Sequence, residues 1–370
     1  MRNGTGDTMS SLISLIIAII MGLLMLSVGV SDSSEQAKAR PVVVSDSLVI
    51  EDESIERLAL SSSDADAAYV ASSESLFLLA GSNDWKRVGE APPTGQIVFA
   101  SDDSQVMLVG NQGACARGGG GDVLQRSEDG GVTWAEIPGE SMIEPLAVWS
   151  ESGTAVGASC EGLLVSEDLG DTWERVDEDL LGLEVTAFAV IEGSDHEILA
   201  GLTGEGGTSR LYRFDLSDPE TWSDAEPLAE YWGIAGIAGT DDLIYLASIT
   251  GVASSKDNGQ TWSSYRLGLE QVTLELDPVT EGLPNGMDLT EYGLNSLYLS
   301  NGSPLLVGAD SDIFEFWNTD VRPSDAAEWE ITAHPGSPVT SFASIPSGEG
   351  VLAQADGEVW LVYPGSWGPI

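Results

Sequence analysis

Three carboxylates share one repeated setting. Asp129, Asp168 and Asp257 each follow a serine by two positions and precede a tryptophan by five, in Ser127-Glu-Asp129-Gly-Gly131-Val-Thr133-Trp134, Ser166-Glu-Asp168-Leu-Gly170-Asp-Thr172-Trp173 and Ser255-Lys-Asp257-Asn-Gly259-Gln-Thr261-Trp262. Acids in matched contexts are candidates for general acid–base work or for oxygen ligation of a cation. The rest of each octapeptide gives the carboxylate another task. Ser and Asp side chains hydrogen-bond backbone groups a few residues on and hold a turn. The glycine takes positive φ at no steric cost, threonine suits a strand, and the tryptophan buries a large ring with its N–H available. Each peptide is therefore expected to be a hairpin turn with a packing anchor, its carboxylate already in use.

The elements that must carry these turns follow from their spacing. Degenerate versions end at Trp85, Trp222, Trp329 and Trp367, so the anchors fall at 85, 134, 173, 222, 262, 329 and 367. Intervals of roughly 40–50 residues suit a four-stranded propeller blade, with one long interval between 262 and 329. Short apolar runs such as 96–100, 106–110, 187–191, 198–201, 244–248 and 304–308 lie between them, bounded by Gly, Ser, Asp or Pro.

The pattern Ser-x-Asp-x-Gly-x-Thr-Trp resembles the Asp-box, or BNR repeat, of sialidase-like β-propellers, a superfamily that includes the photosystem II stability factor type. The resemblance implies that the boxes sit between the third and fourth strands of a blade, at the rim. Ser127, Asp129, Gly131 and Trp134, Ser166, Asp168, Gly170 and Trp173, and Ser255, Asp257, Gly259 and Trp262 are then structural. The expectation is an all-β chain, a single seven-bladed β-propeller over residues 40–370. Only three residues follow Trp367, too few for an outer strand. An N-terminal strand, 41–44 or 48–50, is therefore expected to close the ring on the last blade.

Residues 1–39 read differently. Leu12–Val30 is an uncharged apolar run of nineteen residues, long enough to span a bilayer as an N-terminal hydrophobic helix. It is a signal peptide or a signal anchor. Arg2 precedes it, Lys38 and Arg40 follow, and Ala37-Lys38-Ala39 is a candidate cleavage site. Either way the rest is expected to be extracytoplasmic, at the cell surface or secreted.

Sixty acidic residues oppose fourteen basic ones, a net charge of −46, and only three of the bases are lysines. Acids spread through a chain that is 42% hydrophobic indicate a packed domain, not a disordered tail. The surface looks like that of a halophile's protein, where salt screens self-repulsion, or like a calcium-rich one. Nucleic acid is excluded as a partner, because no basic patch is present to neutralise phosphates. An exported chain with two cysteines is expected to join Cys115 to Cys160 as a disulfide.

In a propeller of the resembling kind, the loops from second to third strand and from blade to blade share the face opposite the boxes. Arg117, Gly119, Gly120, Asp122, Glu161, Glu205 and Arg210 belong to three such loops. Open glycine N–H groups beside two arginines are a candidate anion cradle. Asp277, Glu281, Asp288 and Glu291 leave Ca2+ open as a ligand of the long acidic interval, without EF-hand spacing. His196 and His334 stand alone. Sialidases of this fold use an arginine cluster and a tyrosine–glutamate pair. This chain lacks their early Arg-Ile-Pro signature, and Arg126 and Arg175 adjoin the boxes. No catalytic residue, resident metal or cofactor is predicted. The reading is an exported, membrane-tethered, non-catalytic scaffold for a protein or glycan, with a sialidase-like glycoside hydrolase as the alternative; the oligomeric state stays open.

Overall fold

Burial peaks in the middle strands of each meander. Second and third strands such as Ala155–Ser159 and Gly162–Ser166 are buried almost throughout, whereas fourth strands such as Lys86–Glu90, Glu174–Arg175 and Ser263–Tyr265 are largely exposed. Continuous apolar runs of this length suit sheets packed on both faces. The computed structural model describes residues 48–363 apart from 62–66, 81–83, 93–94, 101, 112–122, 161, 177–179, 181, 192–193, 195, 205–206, 219–220, 223–224, 241, 267, 272, 274–292, 300–304, 317–328 and 347–349.

Four sheets are antiparallel four-stranded meanders in chain order, spanning 144–175, 184–232, 236–265 and 294–333. Two further meanders, 57–90 and 96–141, join into one eight-stranded sheet. The join is a parallel pairing of their first strands: Ala59 with Ile97, Leu60 with Val98, Ser61 with Phe99. Val339–Ser344, Val351–Ala355 and Glu358–Val362 form a three-stranded sheet. First strands touch in succession, and Val339–Ser344 returns to Arg57–Ser61; sheet 144–175 meets 184–232 through its second and third strands. The sheets thus close on themselves around an axis. The fold is an all-β propeller.

The seven blades expected are not what the sheets amount to. Five sheets have four or more strands. The parallel join fuses two meanders into one, and the last sheet has three strands among the described residues. The six apolar runs singled out above all fall on strands, for instance Gln96–Phe99, Met107–Gly110 and Glu197–Thr203.

The N-terminal segment lies against the last sheet. Leu48 N–H donates to Val359 O at 2.6 Å and Val359 N–H donates to Ile55 O at 2.9 Å. It is a hairpin instead of the single strand expected: Val49–Ile50 pairs with Glu53–Ser54, and Glu51 and Asp52 turn the chain with φ of 51° and 69°. Ile50, Ile55 and Leu58 share a buried cluster with Leu352 and Val359. Residues 41–44 and the apolar run 12–30 lie outside the described residues. Among the described residues, no helix is long and apolar enough to cross a membrane.

Candidate functional site

The three octapeptides fold alike, each between the third and fourth strands of its sheet. In the second, Ser166 Oγ donates to Asp168 Oδ1 at 2.8 Å and accepts the Gly170 N–H at 2.8 Å. Asp168 then accepts the Thr172 N–H and hydroxyl, each at 2.7 Å. The same bonds recur in the first (2.7–2.9 Å) and in the third (2.5–2.8 Å). The Thr133 and Thr261 hydroxyls hold Asp129 and Asp257 below the ordinary carboxylate value, helped by the threonine N–H groups. At Asp168 burial opposes ionisation, and the Thr172 and Ser166 bonds outweigh it. Carboxylates so engaged are poor general acids near neutrality.

Tryptophan closes each turn. Trp173 Nε1 donates to Gly170 O at 2.9 Å and Trp262 Nε1 to Gly259 O at 3.1 Å, whereas Trp134 Nε1 is buried with no acceptor. Arginines tie the turns to neighbouring sheets. Arg126 Nη1 reaches Leu169 O at 3.1 Å and Asp171 Oδ1 at 2.8 Å, in the next octapeptide. Arg213 donates to Asn258 Oδ1 at 2.7 Å and holds Glu197 in a two-toothed pair. Both cations are occupied in holding sheets together.

The opposite end of the axis opens into a cavity of about 290 Å³. First strands supply its walls at or near their beginnings: Gln96, Glu144, Thr186, Asn295, Ser296 and Thr340. Deeper, a second cavity of about 210 Å³ continues toward the strand ends. Leu60, Leu146, Phe188, Ile237, Leu297 and Phe342 line both and form an apolar belt between them. Glu144 is the one carboxylate among the described residues lining either cavity, and no described lining residue is Lys, Arg or His. Two carboxylates flanking a groove, as glycosidases use, and converging arginines are thus both missing from the described walls.

Of the expected binding-face residues, only Arg210 lies among the described ones. Its Nε meets Glu230 Oε1 at 2.6 Å across paired strands, and that bond raises its pKa. Arg117, Gly119, Gly120, Asp122, Glu161 and Glu205 lie outside the described residues, as do Asp277, Glu281, Asp288 and Glu291. Cys160 is exposed at the turn between Ala155–Ser159 and Gly162–Ser166, and Cys115 lies outside, so the bridge between them has no support in the structure. No group of three or more metal-ligating side chains occurs among the described residues. Tyr231 is buried against Trp262, and Tyr265 accepts from Ser254 at 3.3 Å.

The channel residues carried no flag in the sequence. Gln96, Thr186, Asn295, Ser296 and Thr340 belong to no motif, and only their place near the start of successive first strands unites them. His334 Nδ1 lies 2.6 Å from Asp312 Oδ1, a pair that isolated histidines did not announce.

No protein-family profile matches the chain, and no curated protein matches it in sequence. Solved structures do resemble it. YCF48 bound to D1 peptide superposes with a TM-score of 0.57 at 12% identity, covering 89% of this chain and 100% of that one. The Niastella koreensis GH74 enzyme gives 0.52 at 15% identity over 84% of this chain, which spans 51% of that enzyme's length. A chain of the Mitotic Checkpoint Complex gives 0.52 at 10% identity, covering 88% of this chain and 89% of that one. At such identities the likeness establishes the propeller fold alone.

Proposed function

We propose that this chain is a non-catalytic propeller of the Asp-box type that binds a protein partner at the mouth of its axial channel. The observation that carries this reading is the mouth itself: a polar, open cavity with one described carboxylate, at the end of the ring away from the self-contained octapeptides. At about 290 Å³ it falls at the small end of ligand pockets, which run about 300–1,000 Å³. That volume suits one side chain or chain end of a larger partner better than a run of sugars. Two of the similar structures are a propeller with a bound peptide and a multiprotein complex. The apolar run 12–30 supports export, with the propeller membrane-tethered or secreted. The eight-stranded sheet counts as two blades and the three-stranded sheet as the closing one, making seven; a crystal structure resolving every blade checks that count.

The test is site-specific crosslinking. A photo-crosslinking residue at exposed Thr340, beside the mouth, is compared with one at exposed Val132, in an octapeptide. Incubated with envelope and supernatant proteins of the source cells, the Thr340 derivative captures a discrete partner and the Val132 derivative does not. Equal capture from both positions, or none from Thr340, defeats the proposal.

The glycoside hydrolase alternative draws on the likeness to the GH74 enzyme. Its test is release of reducing sugar from a panel of polysaccharides and glycoconjugates, abolished by Glu144→Gln; no release from any of them counts against it.

A further inference from the structure

Building on the reading that the mouth binds a protein partner, we infer that the channel takes an uncharged aromatic side chain, of phenylalanine type, presented by that partner. The polar side chains of the rim are engaged with the protein itself. Gln96 Nε2 donates to Ile97 O at 3.0 Å, Thr186 Oγ1 to Ile234 O at 2.7 Å and Ser296 Oγ to Val339 O at 2.7 Å. Thr186 Oγ1 also lies 2.9 Å from Thr203 Oγ1, Asn295 Nδ2 donates to Asp310 Oδ1 at 2.9 Å, and Glu144 has an interaction partner within the chain. Side chains held in this way shape the opening, and selection passes to the surface beneath it.

That surface is apolar and the protein leaves it partly uncovered. Leu60, Leu146, Phe188, Leu297 and Phe342 come from five different first strands, are only partly buried and line both cavities. Because the two cavities share this belt, a side chain projecting from a partner seated at the rim enters apolar surroundings directly. Below the belt, the second cavity has no Asp, Glu, Lys, Arg or His among its described lining residues. A charge carried there would lose its water and meet no counter-charge. Its volume of about 210 Å³ exceeds the roughly 150 Å³ in which an apolar cavity accepts benzene. The walls also carry rings. Tyr298 and Phe342, with centroids 6.0 Å apart and planes tilted by 45°, line this cavity together with Phe188. An aromatic guest gains offset or edge contacts with such rings that an aliphatic one does not.

The experiment uses the full chain and short, unlabelled, acetylated and amidated Gly/Ser peptides that differ at one central residue, read by titration calorimetry. The phenylalanine peptide is expected to saturate with a negative heat-capacity change, the mark of apolar burial. Alanine in its place weakens binding about thirtyfold, the loss expected for one buried large apolar side chain. Cyclohexylalanine, of similar bulk without a π face, binds about threefold more weakly. Para-aminomethyl-phenylalanine, the same ring carrying an ammonium, does not bind, even though the net charge of −46 attracts cations. In the protein, Phe188→Ala weakens the phenylalanine peptide about tenfold. Thr340→Trp, obstructing the mouth, abolishes binding, whereas Val132→Trp in an octapeptide leaves it within about twofold. Should Phe188→Ala not melt like the wild type, the peptide series and the two tryptophan variants decide. Equal binding of phenylalanine and alanine peptides, an ammonium peptide bound as tightly, or equal effects of the two tryptophan substitutions overturns the assignment. Cyclohexylalanine bound as tightly as phenylalanine overturns its aromatic part. The crosslinking contrast between Thr340 and Val132 judges protein binding separately, so capture without a phenylalanine preference would strike this assignment alone.

Discussion

The octapeptide end of the ring and the mouth of its channel are both polar, and they use their polar groups in opposite ways. At the octapeptide end, serine, aspartate and threonine meet one another within six residues, so each turn satisfies itself. At the mouth, Thr186 reaches Ile234 and Ser296 reaches Val339, each on the approach to the next sheet or within it. The first arrangement stabilises a sheet from within. The second couples neighbouring sheets around an opening. Repetition of a motif therefore marks where the ring is held, and unrepeated residues line the opening.

The largest expected effect tests how tightly the octapeptides are packed. Gly131 has φ of 85°, and a Cβ there would lie 2.2 Å from Leu76 Cδ2, whereas at Gly170 (φ 90°) the nearest atom is 3.4 Å away. Backbone strain applies to both, and overpacking against fully buried Leu76 to the first alone. Gly131→Ala should cost about 3 kcal/mol and Gly170→Ala about 1 kcal/mol in urea unfolding. Equal losses would show that backbone conformation, and not space, governs both glycines.

A serine from each region sharpens the contrast. Ser166→Ala leaves the buried Gly170 N–H without its acceptor and should cost about 2 kcal/mol; Ser296→Ala removes a donor from Val339 O at about 1 kcal/mol. Hydrogen exchange separates them by location. Ser166→Ala loosens 166–173 alone, whereas Ser296→Ala raises exchange in Val339–Ser344 of the neighbouring sheet. If Ser296→Ala loosens only its own strand, the mouth is as self-contained as the turns.

How much of this was legible in the chain follows from the range of each interaction. An octapeptide needs only its own residues, so its turn and the engagement of its aspartate in that turn could be read in advance, whereas its place before a fourth strand came from the resemblance. Trp85, Trp222 and Trp329 likewise precede fourth strands despite degraded motifs. The parallel pairing of Leu60 with Val98 left no local trace, which is why the sheets do not come out as the seven expected. Arg210 looked like an anion donor because Glu230, its partner, lies twenty positions away on another strand. The mouth was invisible for the same reason: residues from 96 to 340 meet there only once the ring has closed.

A smaller effect separates charge from hydrogen bonding in the turns. Asp168 is held below its ordinary value of 3.8, so the unfolded chain takes up a proton more readily than the folded one. The stability this confers is complete above the unfolded value and is lost as pH falls through the folded one. Thr172→Val removes the 2.7 Å hydroxyl bond to Asp168 and with it part of that shift. Its unfolding free energy in urea should lie below that of the wild type at about pH 6, by about 0.5–1 kcal/mol, and the gap should narrow as pH descends through the carboxylate range. A gap independent of pH would sever the link between the threonine and the carboxylate.

The smallest expected change is no change at all. With a net charge of −46, the whole ring repels itself, and raising salt from about 0.1 M to about 1 M shortens the screening length from about 10 Å to about 3 Å. Wild type should therefore gain stability with salt. The Ser166–Gly170 bond joins neutral groups 2.8 Å apart and does not feel that screening. The stability difference between wild type and Ser166→Ala should stay the same across the salt series, both proteins rising together. A Ser166→Ala difference that shrinks with salt would mean the turns are held by the charge of the ring after all, and the two ends would no longer be distinct.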